Sequence, residues 1–171
     1  MANKNDASGF NLYRTGPGGV PRIELVRAKA STIIYPGQPL KIASGVYEPV
    51  AAAGDKVRAI SMGYVSAGAS TPAYVLACTD PENHEWRVQT DEAFATTDIG
   101  KFLAHTATAA DTVTRQARNY ATSSAASPGD ISDGTLWESV GIVNEIGNTA
   151  GVANVDIIVI PRHSRAVIPA A

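Results

Sequence analysis

Glycine and proline punctuate this chain so densely that they constrain its fold more than any other feature. The 15 glycines and 10 prolines separate short runs rich in β-branched and aromatic residues. Strands of about five to eight residues between frequent turns are typical of antiparallel barrels and sandwiches. No stretch combines an apolar stripe of helical period with caps at both ends. The sequence therefore predicts a mainly β fold, an antiparallel β-barrel or sandwich.

Composition divides the chain into three regions. Residues 1–21 are polar and glycine-rich, which predicts a flexible, extended N-terminal arm outside the core. Residues 22–160 hold the strand candidates and form the predicted barrel or sandwich domain, and residues 161–171 form a C-terminal tail. The strand candidates are 22–26, 32–35, 40–42, 46–50, 57–65, 73–78, 86–89, 136–143 and 152–160.

Two glycine-containing stretches recur within the predicted domain. The sequence at 36–40 resembles that at 99–103, because each is a glycine turn that leads into a strand. The sequence at 61–65 resembles that at 139–143, and a glycine-containing turn and a further apolar strand follow each of them. A duplicated small barrel explains this pattern. Two unrelated hairpins that use glycine for the same turns explain it nearly as well.

A duplication would place the two halves at about 22–90 and 91–160. The second half would then carry an insertion, because its matching segments lie farther apart. The insertion would fall within residues 104–127, which are rich in alanine, threonine and serine. We expect that stretch to be a long excursion with little core of its own.

Charge is distributed unevenly along the chain, whose net charge is −2. Basic residues outnumber acidic ones in 1–29 and in 161–171, whereas acidic residues predominate between them. Binding of nucleic acid requires a basic face with interleaved aromatic residues. The body of the chain is instead acidic, and aromatic residues make up only 6% of the sequence. We therefore expect no nucleic-acid partner.

No segment predicts export or insertion into a membrane. The first 30 residues contain no apolar run that resembles a signal sequence. The densest apolar run, 157–160, is far too short to cross a bilayer. Cys78 is the single cysteine, so an intrachain disulfide is impossible, and this fits assembly in a reducing cytoplasm. We expect no membrane partner.

The motifs of common enzymes are absent from the sequence. Nucleophilic catalysis needs a serine or cysteine beside a base, but no serine lies in a nucleophile-elbow pattern. Cys78 ends the apolar run 74–78, which predicts a buried structural cysteine. The glycine run at 16–19 lacks the lysine and the following helix of a phosphate-binding loop, and Gly100-Lys101 precedes Phe102 rather than a serine or threonine. We expect no enzymatic activity, no catalytic residue and no cofactor.

One group of polar residues could be imagined as a metal site. Cys78, Asp80, Glu82, His84 and Glu85 lie close together in the sequence. Structural zinc sites usually contain paired cysteines or histidines at characteristic spacing, and this group has one of each. Asp, Pro and Asn residues favour a solvated turn between two strands. We therefore predict such a turn and no metal ligand.

The arrangement of these features resembles the head decoration, or cement, proteins of tailed bacteriophages. The resemblance rests on the polar N-terminal arm, the extended strand 22–28, the glycine turn 35–40 and the late hairpin formed by 137–143 and 155–159. The resemblance lies in the general pattern of strands and turns and covers most of residues 20–160. It transfers no functional residue, and the family has no catalytic residue to transfer.

The resemblance implies a structural virion protein, made in the host cytoplasm, that binds the outer capsid surface after the head expands. Its partner would be the major capsid protein, whose subunits it bridges and stabilises, and it would act as a homo-oligomer, a trimer or dimer. We expect the capsid contacts near the two ends of the chain, at Phe10, Leu12, Tyr13, Arg14, Arg22, Arg162 and Arg165. Deletion of residues 1–21 is then expected to weaken attachment and leave the fold intact.

Two other readings remain open. The first is another virion-surface or tail-associated binding module, such as a carbohydrate-binding module, which would place exposed aromatic side chains in a groove. The second is a hydrolase whose catalytic triad is assembled from distant residues, with His84 and His105 as the candidate bases.

Overall fold

The computed structural model describes residues 3, 7–16, 19–51, 55–125 and 135–163, and it confirms the prediction of a mainly β, antiparallel fold. Within these residues the chain forms thirteen strands and two short 3-10 turns, Pro81–Asn83 and Thr96–Asp98. The strands are β1 Asn11–Thr15, β2 Ile23–Ala28, β3 Ile33–Ile34, β4 Pro39–Ala43, β5 Val46–Pro49, β6 Ala59–Ser61, β7 Val65–Ser66, β8 Ala73–Cys78, β9 His84–Gln89, β10 Phe102–Thr106, β11 Tyr120–Ala125, β12 Thr135–Ile142 and β13 Asp156–His163.

Most of the strands belong to two larger assemblies. Strands β2, β5, β4, β6 and β8 close into a small barrel, which we call the first barrel. Strands β1, β9, β13, β12, β10 and β11 form a six-stranded sheet in that order, which we call the second sheet. Strands β3 and β7 pair with each other. Among the described residues, helical structure is limited to the two 3-10 turns, so none of it could span a bilayer.

Two apolar clusters fill the space inside and between these assemblies. One cluster, which includes Leu40 and Ala77, lies within the first barrel and the β3–β7 pair. The larger cluster joins the second sheet, through residues such as Trp137, to Ile60 and Cys78 of the first barrel. Ala77 and Cys78 are neighbours on β8 but belong to different clusters, because successive side chains of a strand point to opposite faces. The side chains inside the first barrel therefore pack against one another, and part of its outer side packs against the second sheet.

The two halves of the chain share one strand topology. The order β2-β8-β6-β4-β5 in the first barrel corresponds to the order β9-β13-β12-β10-β11 in the second sheet. In each half a parallel contact joins the first and the last of these strands. It is made by Ala28 with Tyr47 in the first barrel, and by Thr90 with Ala121 in the second sheet. The second sheet is thus rolled in the same sense as the closed barrel.

Individual hydrogen bonds recur at the glycine turns that the sequence singled out. The amide of Gly37 donates to the carbonyl oxygen of Ser61 at 2.8 Å, and the amide of Gly100 donates to that of Ser139 at the same distance. Both glycines have φ in the left-handed region, at 76° and 91°, which side chains with a Cβ rarely adopt. The correspondence noticed in the sequence therefore extends to backbone conformation and pairing.

The boundary between the halves differs from the predicted one. Residues 84–90 were assigned to the first half, but β9 pairs with β13 and belongs to the second sheet. The two halves meet at the turn Pro81–Asn83, which lies between β8 and β9. The predicted tail also begins too early, since β13 continues to His163. Residues 164–171 lie outside the described residues.

The stretch 104–127 is only partly the excursion that composition predicted. Strand β10 continues to Thr106, and β11 begins at Tyr120 and pairs with it. Ala117 and Ala121 are fully buried. The prediction of little core was therefore wrong at both ends of this stretch, because small alanine side chains pack tightly without giving a strong apolar signal.

The N-terminal region is not the separate arm that the sequence predicted. Strand β1 pairs antiparallel with β9, and Phe10 lies in the larger apolar cluster with its ring stacked on Trp137 at 4.0 Å between centroids. The Phe10 amide also donates to the carbonyl oxygen of Gly37 at 2.8 Å. Glycine and polar residues around Phe10 suggested flexibility, but its burial depends on Trp137, which is distant in sequence. Deletion of residues 1–21 is therefore expected to destabilise the fold, and not to leave it intact, because it removes Phe10 from the larger apolar cluster.

Replacement of Phe10 by alanine is expected to lower the free energy of unfolding by about 3–5 kcal/mol, the range for truncation of a buried aromatic side chain. Chemical denaturation of the two proteins measures this difference. Tyr13→Ala is the matched control, because Tyr13 is a nearby aromatic residue on β1, the strand that Phe10 directly precedes, but its side chain is exposed. A Phe10→Ala protein as stable as the control would show that β1 is not part of the folded core.

Candidate functional site

The residues expected to contact a capsid do not form one arm. Phe10 is buried and unavailable to any partner, so that prediction was wrong for this residue. Leu12 is half-buried against the larger cluster. Tyr13 is exposed at the surface of β1. Leu12 pairs with Trp86 of β9, which fixes this segment in the second sheet, and alternate side chains along the segment point inward and outward.

The basic residues near the two ends are engaged in ion pairs on their own surface. The Arg14 guanidinium donates from Nε and Nη2, along one of its edges, to both carboxylate oxygens of Glu85, at 2.7–3.0 Å. Arg22 pairs with its neighbour Glu24, and Arg162 pairs with Glu138. These three arginine side chains remain about half to two-thirds exposed, so their ion pairs contribute little to stability. Arg165 lies outside the described residues.

An apolar surface, which sequence reasoning did not identify, lies on the outer side of the first barrel. We call it the β2–β8 face, and its members are Ile23, Leu25, Met62, Tyr74 and Leu76. Leu25 on β2 is paired directly with Leu76 on β8, and these side chains are 68% and 48% exposed. The backbone of Met62 continues the sheet by donating to the carbonyl oxygen of Leu76 at 2.8 Å. Contiguous exposed apolar patches commonly mark protein–protein contact sites.

The second half of the chain provides an internal comparison for this face. Corresponding strand positions, in the same pairing register, carry Glu85 for Ile23, Arg87 for Leu25, Val140 for Met62, Asp156 for Tyr74 and Ile158 for Leu76. Arg87 lies at the centre of a charged group, in which it binds Glu145 and Asp156 at 2.7 Å each. Since the same topology accepts charged residues at three of these positions, folding does not require apolar residues at Ile23, Leu25 and Tyr74.

A signal for the β2–β8 face was present in the sequence. Strand β8 consists of Ala73-Tyr74-Val75-Leu76-Ala77-Cys78 and is apolar at every position. A strand of an antiparallel sheet with one solvent-exposed face should alternate apolar and polar residues. A continuous apolar run instead indicates that both faces of the strand are covered. In this chain one face of β8 packs inside the barrel, and most of the other is exposed.

The group considered as a metal site is a hydrogen-bonded junction between the two halves. Asp80 accepts hydrogen bonds from the Arg22 amide at 2.9 Å and from the Cys78 thiol at 3.2 Å. The Gly16 amide donates to Nδ1 of His84 at 3.4 Å, which leaves Nε2 to carry the proton and donate to Asp80 at 3.2 Å. Burial opposes the charge of Asp80, but these hydrogen bonds outweigh it and hold the pKa of the carboxyl below its usual value.

The chemistry of this junction favours structure over catalysis or metal binding. The donor atoms of Cys78, Asp80 and His84 lie within 4.8 Å of one another, close enough in principle to share an ion. Burial raises the pKa of the Cys78 thiol to about 12, however, so the thiol is protonated near neutral pH and is a poor nucleophile. The prediction that Cys78 is buried is confirmed. The carboxylate lies between the thiol and the imidazole, so His84 is not placed to activate the sulfur.

Replacement of Asp80 by alanine is expected to lower the free energy of unfolding by about 1–3 kcal/mol, because three donors lose their acceptor. Thermal or chemical denaturation measures the loss. Asp80→Asn is the matched comparison and should cost less, since its remaining amide oxygen can still accept a hydrogen bond. Equal stability of the wild type and Asp80→Ala would contradict a structural role for the junction.

Comparison with known proteins identifies no relative for this chain. No protein-family model, curated protein or solved structure matches it.

Proposed function

We propose that this protein is a structural virion component that binds the outer surface of an expanded phage capsid and stabilises it by bridging major capsid subunits. The β2–β8 face is the surface that makes this contact. The observation that carries the proposal is the contrast between the two halves. Positions that hold Glu85, Arg87 and Asp156 in the second sheet hold exposed apolar residues in the first barrel. The choice of a phage head as the partner rests on the resemblance of the sequence to head decoration proteins.

The energetics of such a face suit a repetitive shell. Full burial of a large apolar side chain is worth about 1.5–3 kcal/mol, and the side chains of the face are already partly covered. Much of this gain is spent on the entropy lost in association. A single copy would therefore bind modestly. Attachment as a trimer or dimer would engage several shell sites together and raise the overall affinity without any new contact.

Basic residues near the chain ends contribute in a different way. Arg14, Arg22 and Arg162 stay largely exposed within their ion pairs. Exposed charges of this kind influence the rate and orientation of an encounter more than the final affinity. We propose that they orient the protein on the shell while the β2–β8 face supplies the binding energy. Attachment should then weaken little as the salt concentration rises.

Co-sedimentation of the purified protein with empty phage heads, before and after expansion, tests the proposal. We expect saturable binding to expanded heads, with a number of copies per shell set by icosahedral symmetry. Binding to unexpanded heads should be weaker. Absence of binding to expanded heads at any salt concentration would overturn the proposal and favour another virion component as the partner.

A further inference from the structure

A polar cleft occupies the second sheet at the place that corresponds to the β2–β8 face. It has a volume of about 690 Å³, which lies within the range of about 300–1,000 Å³ that is usual for ligand sites. Strands β1, β9 and β13 form its floor, and the loop after β12 forms one wall. The side chains that matter for binding are Tyr13, Arg87, Gln116, Glu145, Asn154 and Asp156.

The wall of this cleft is held in place before any ligand arrives. Asn148 donates to the carbonyl oxygens of Val143 and Asp156 at 2.7 and 2.9 Å and accepts from the Asp156 amide at 2.9 Å. Asn3 exchanges two hydrogen bonds with Thr149, at 2.8 and 3.0 Å. A preformed site binds more tightly than a mobile one, because less conformational entropy is lost on binding.

Several polar groups in the cleft remain available to a ligand. The side-chain amides of Gln116 and Asn154 make no hydrogen bond with any residue that the structure describes, and each offers both a donor and an acceptor. Tyr13 presents an exposed aromatic ring, and its hydroxyl group has no partner among the described residues either. Tyrosine combines an apolar face with a polar tip, which suits a ligand that has both apolar C–H and hydroxyl surfaces.

Charge selects among such ligands. The guanidinium of Arg87 lies between the carboxylates of Glu145 and Asp156, so these three groups together carry one net negative charge. Adjacent donors and acceptors of this kind can bind neighbouring hydroxyl groups, whereas the net charge disfavours an anion. We infer that the polar cleft binds a neutral sugar, with Tyr13 packed against one face of the ring and the polar groups around it bonded to its hydroxyls.

Sugar binding at this cleft is independent of attachment to a phage head, because the cleft and the β2–β8 face belong to different halves of the chain. It also meets the condition that the sequence set for a carbohydrate-binding module, an exposed aromatic side chain in a groove. The corresponding positions of the two halves would thus serve two different ligands, a protein surface and a glycan.

An array of immobilised neutral and sialylated oligosaccharides, followed by calorimetric titration with the best neutral disaccharide of glucose, galactose or N-acetylglucosamine, tests the inference. Retention of at least one neutral glycan is expected, with weaker retention of its sialylated form. Tyr13→Ala should weaken binding at least about tenfold, and Gln116→Ala, an exposed change without structural cost, should weaken it several-fold. Tyr74→Ala alters an exposed tyrosine outside the cleft and should leave affinity unchanged. Retention of no neutral glycan, or equal affinity of all three variants, would overturn the inference.

Discussion

Replacement of Leu25 and Leu76 together by glutamate is expected to weaken attachment to expanded phage heads by about a hundredfold or more. Each substitution removes an apolar side chain from the proposed contact, and together these losses amount to about 3 kcal/mol, which is a hundredfold in affinity. Each new carboxylate would also have to lose its water on binding, with no partner for its charge. Co-sedimentation at increasing protein concentration measures the change in affinity.

A matched control separates this effect from a general effect of added negative charge. Val113→Glu adds one carboxylate at an apolar side chain that is 90% exposed and distant in sequence from the β2–β8 face, and it is compared with the single variant Leu25→Glu, which adds the same charge. The control should bind heads as the wild type does. Because both leucines point outward, the double variant should still fold, with only the modest loss of stability that two directly opposed carboxylates cause. Normal attachment of a folded double variant would show that the β2–β8 face does not bind the phage head.

The wild-type protein is expected to lose about 3 kcal/mol of its free energy of unfolding through His105 as the pH falls from 8 to 4. Replacement of His105 by isoleucine is expected to abolish this loss. Burial lowers the pKa of His105 to about 4, and nearby Asp55 only partly opposes this effect. Neither ring nitrogen of His105 has a hydrogen-bond partner among the described residues. Isoleucine is a suitable replacement because its apolar, β-branched side chain suits a buried strand position and carries no polar atom that needs a hydrogen-bond partner.

The sign of this effect follows from proton binding in the two states. The unfolded chain takes up a proton on His105 near its ordinary pKa of about 6.5, whereas the folded protein resists protonation until about pH 4. The stability contributed by the neutral imidazole is therefore complete above pH 6.5, is lost as the pH falls, and is gone below about pH 4. Denaturation of both proteins between pH 8 and pH 4 measures the difference. Parallel pH profiles would contradict the burial of a neutral His105.

The sequence predicted the strands wherever local chemistry decided them. Turn residues such as Gly37 and Gly100 mark sharp changes of direction, and apolar runs such as 73–78 mark strands that are buried on at least one face. The predicted and observed strands therefore agree over most of the chain. The glycine correspondence between the halves was also visible, because the same turn conformation requires the same residue.

Features that depend on distant contacts could not be predicted in this way. Phe10 is surrounded by polar and glycine residues, and its burial is decided by Trp137 at the other end of the sequence. Ala117 and Ala121 are buried because neighbouring side chains fit closely around them, which no composition rule detects. Prediction of the β2–β8 face required knowledge of which side of β8 stays exposed to solvent. Only the fold supplies that information.

Comparison of the two halves suggests how one topology has acquired two surfaces. In the second sheet, β1 and the loop after β12 build up the edges of the outer face, and three of its strand positions hold the charged residues Glu85, Arg87 and Asp156. In the first barrel the corresponding positions form the apolar β2–β8 face. We propose that the two halves have different roles. The first barrel attaches the protein to the shell, and the second sheet presents the polar cleft to the surroundings.

A cryo-electron microscopy reconstruction of expanded heads saturated with the protein would show which surface of the protein contacts the shell. We expect density for the protein on the outer surface of the shell, with Leu25 and Leu76 buried against major capsid subunits and Tyr13 facing solvent. Bare heads at saturating protein concentration, or bound protein with the β2–β8 face exposed to solvent, would contradict this expectation.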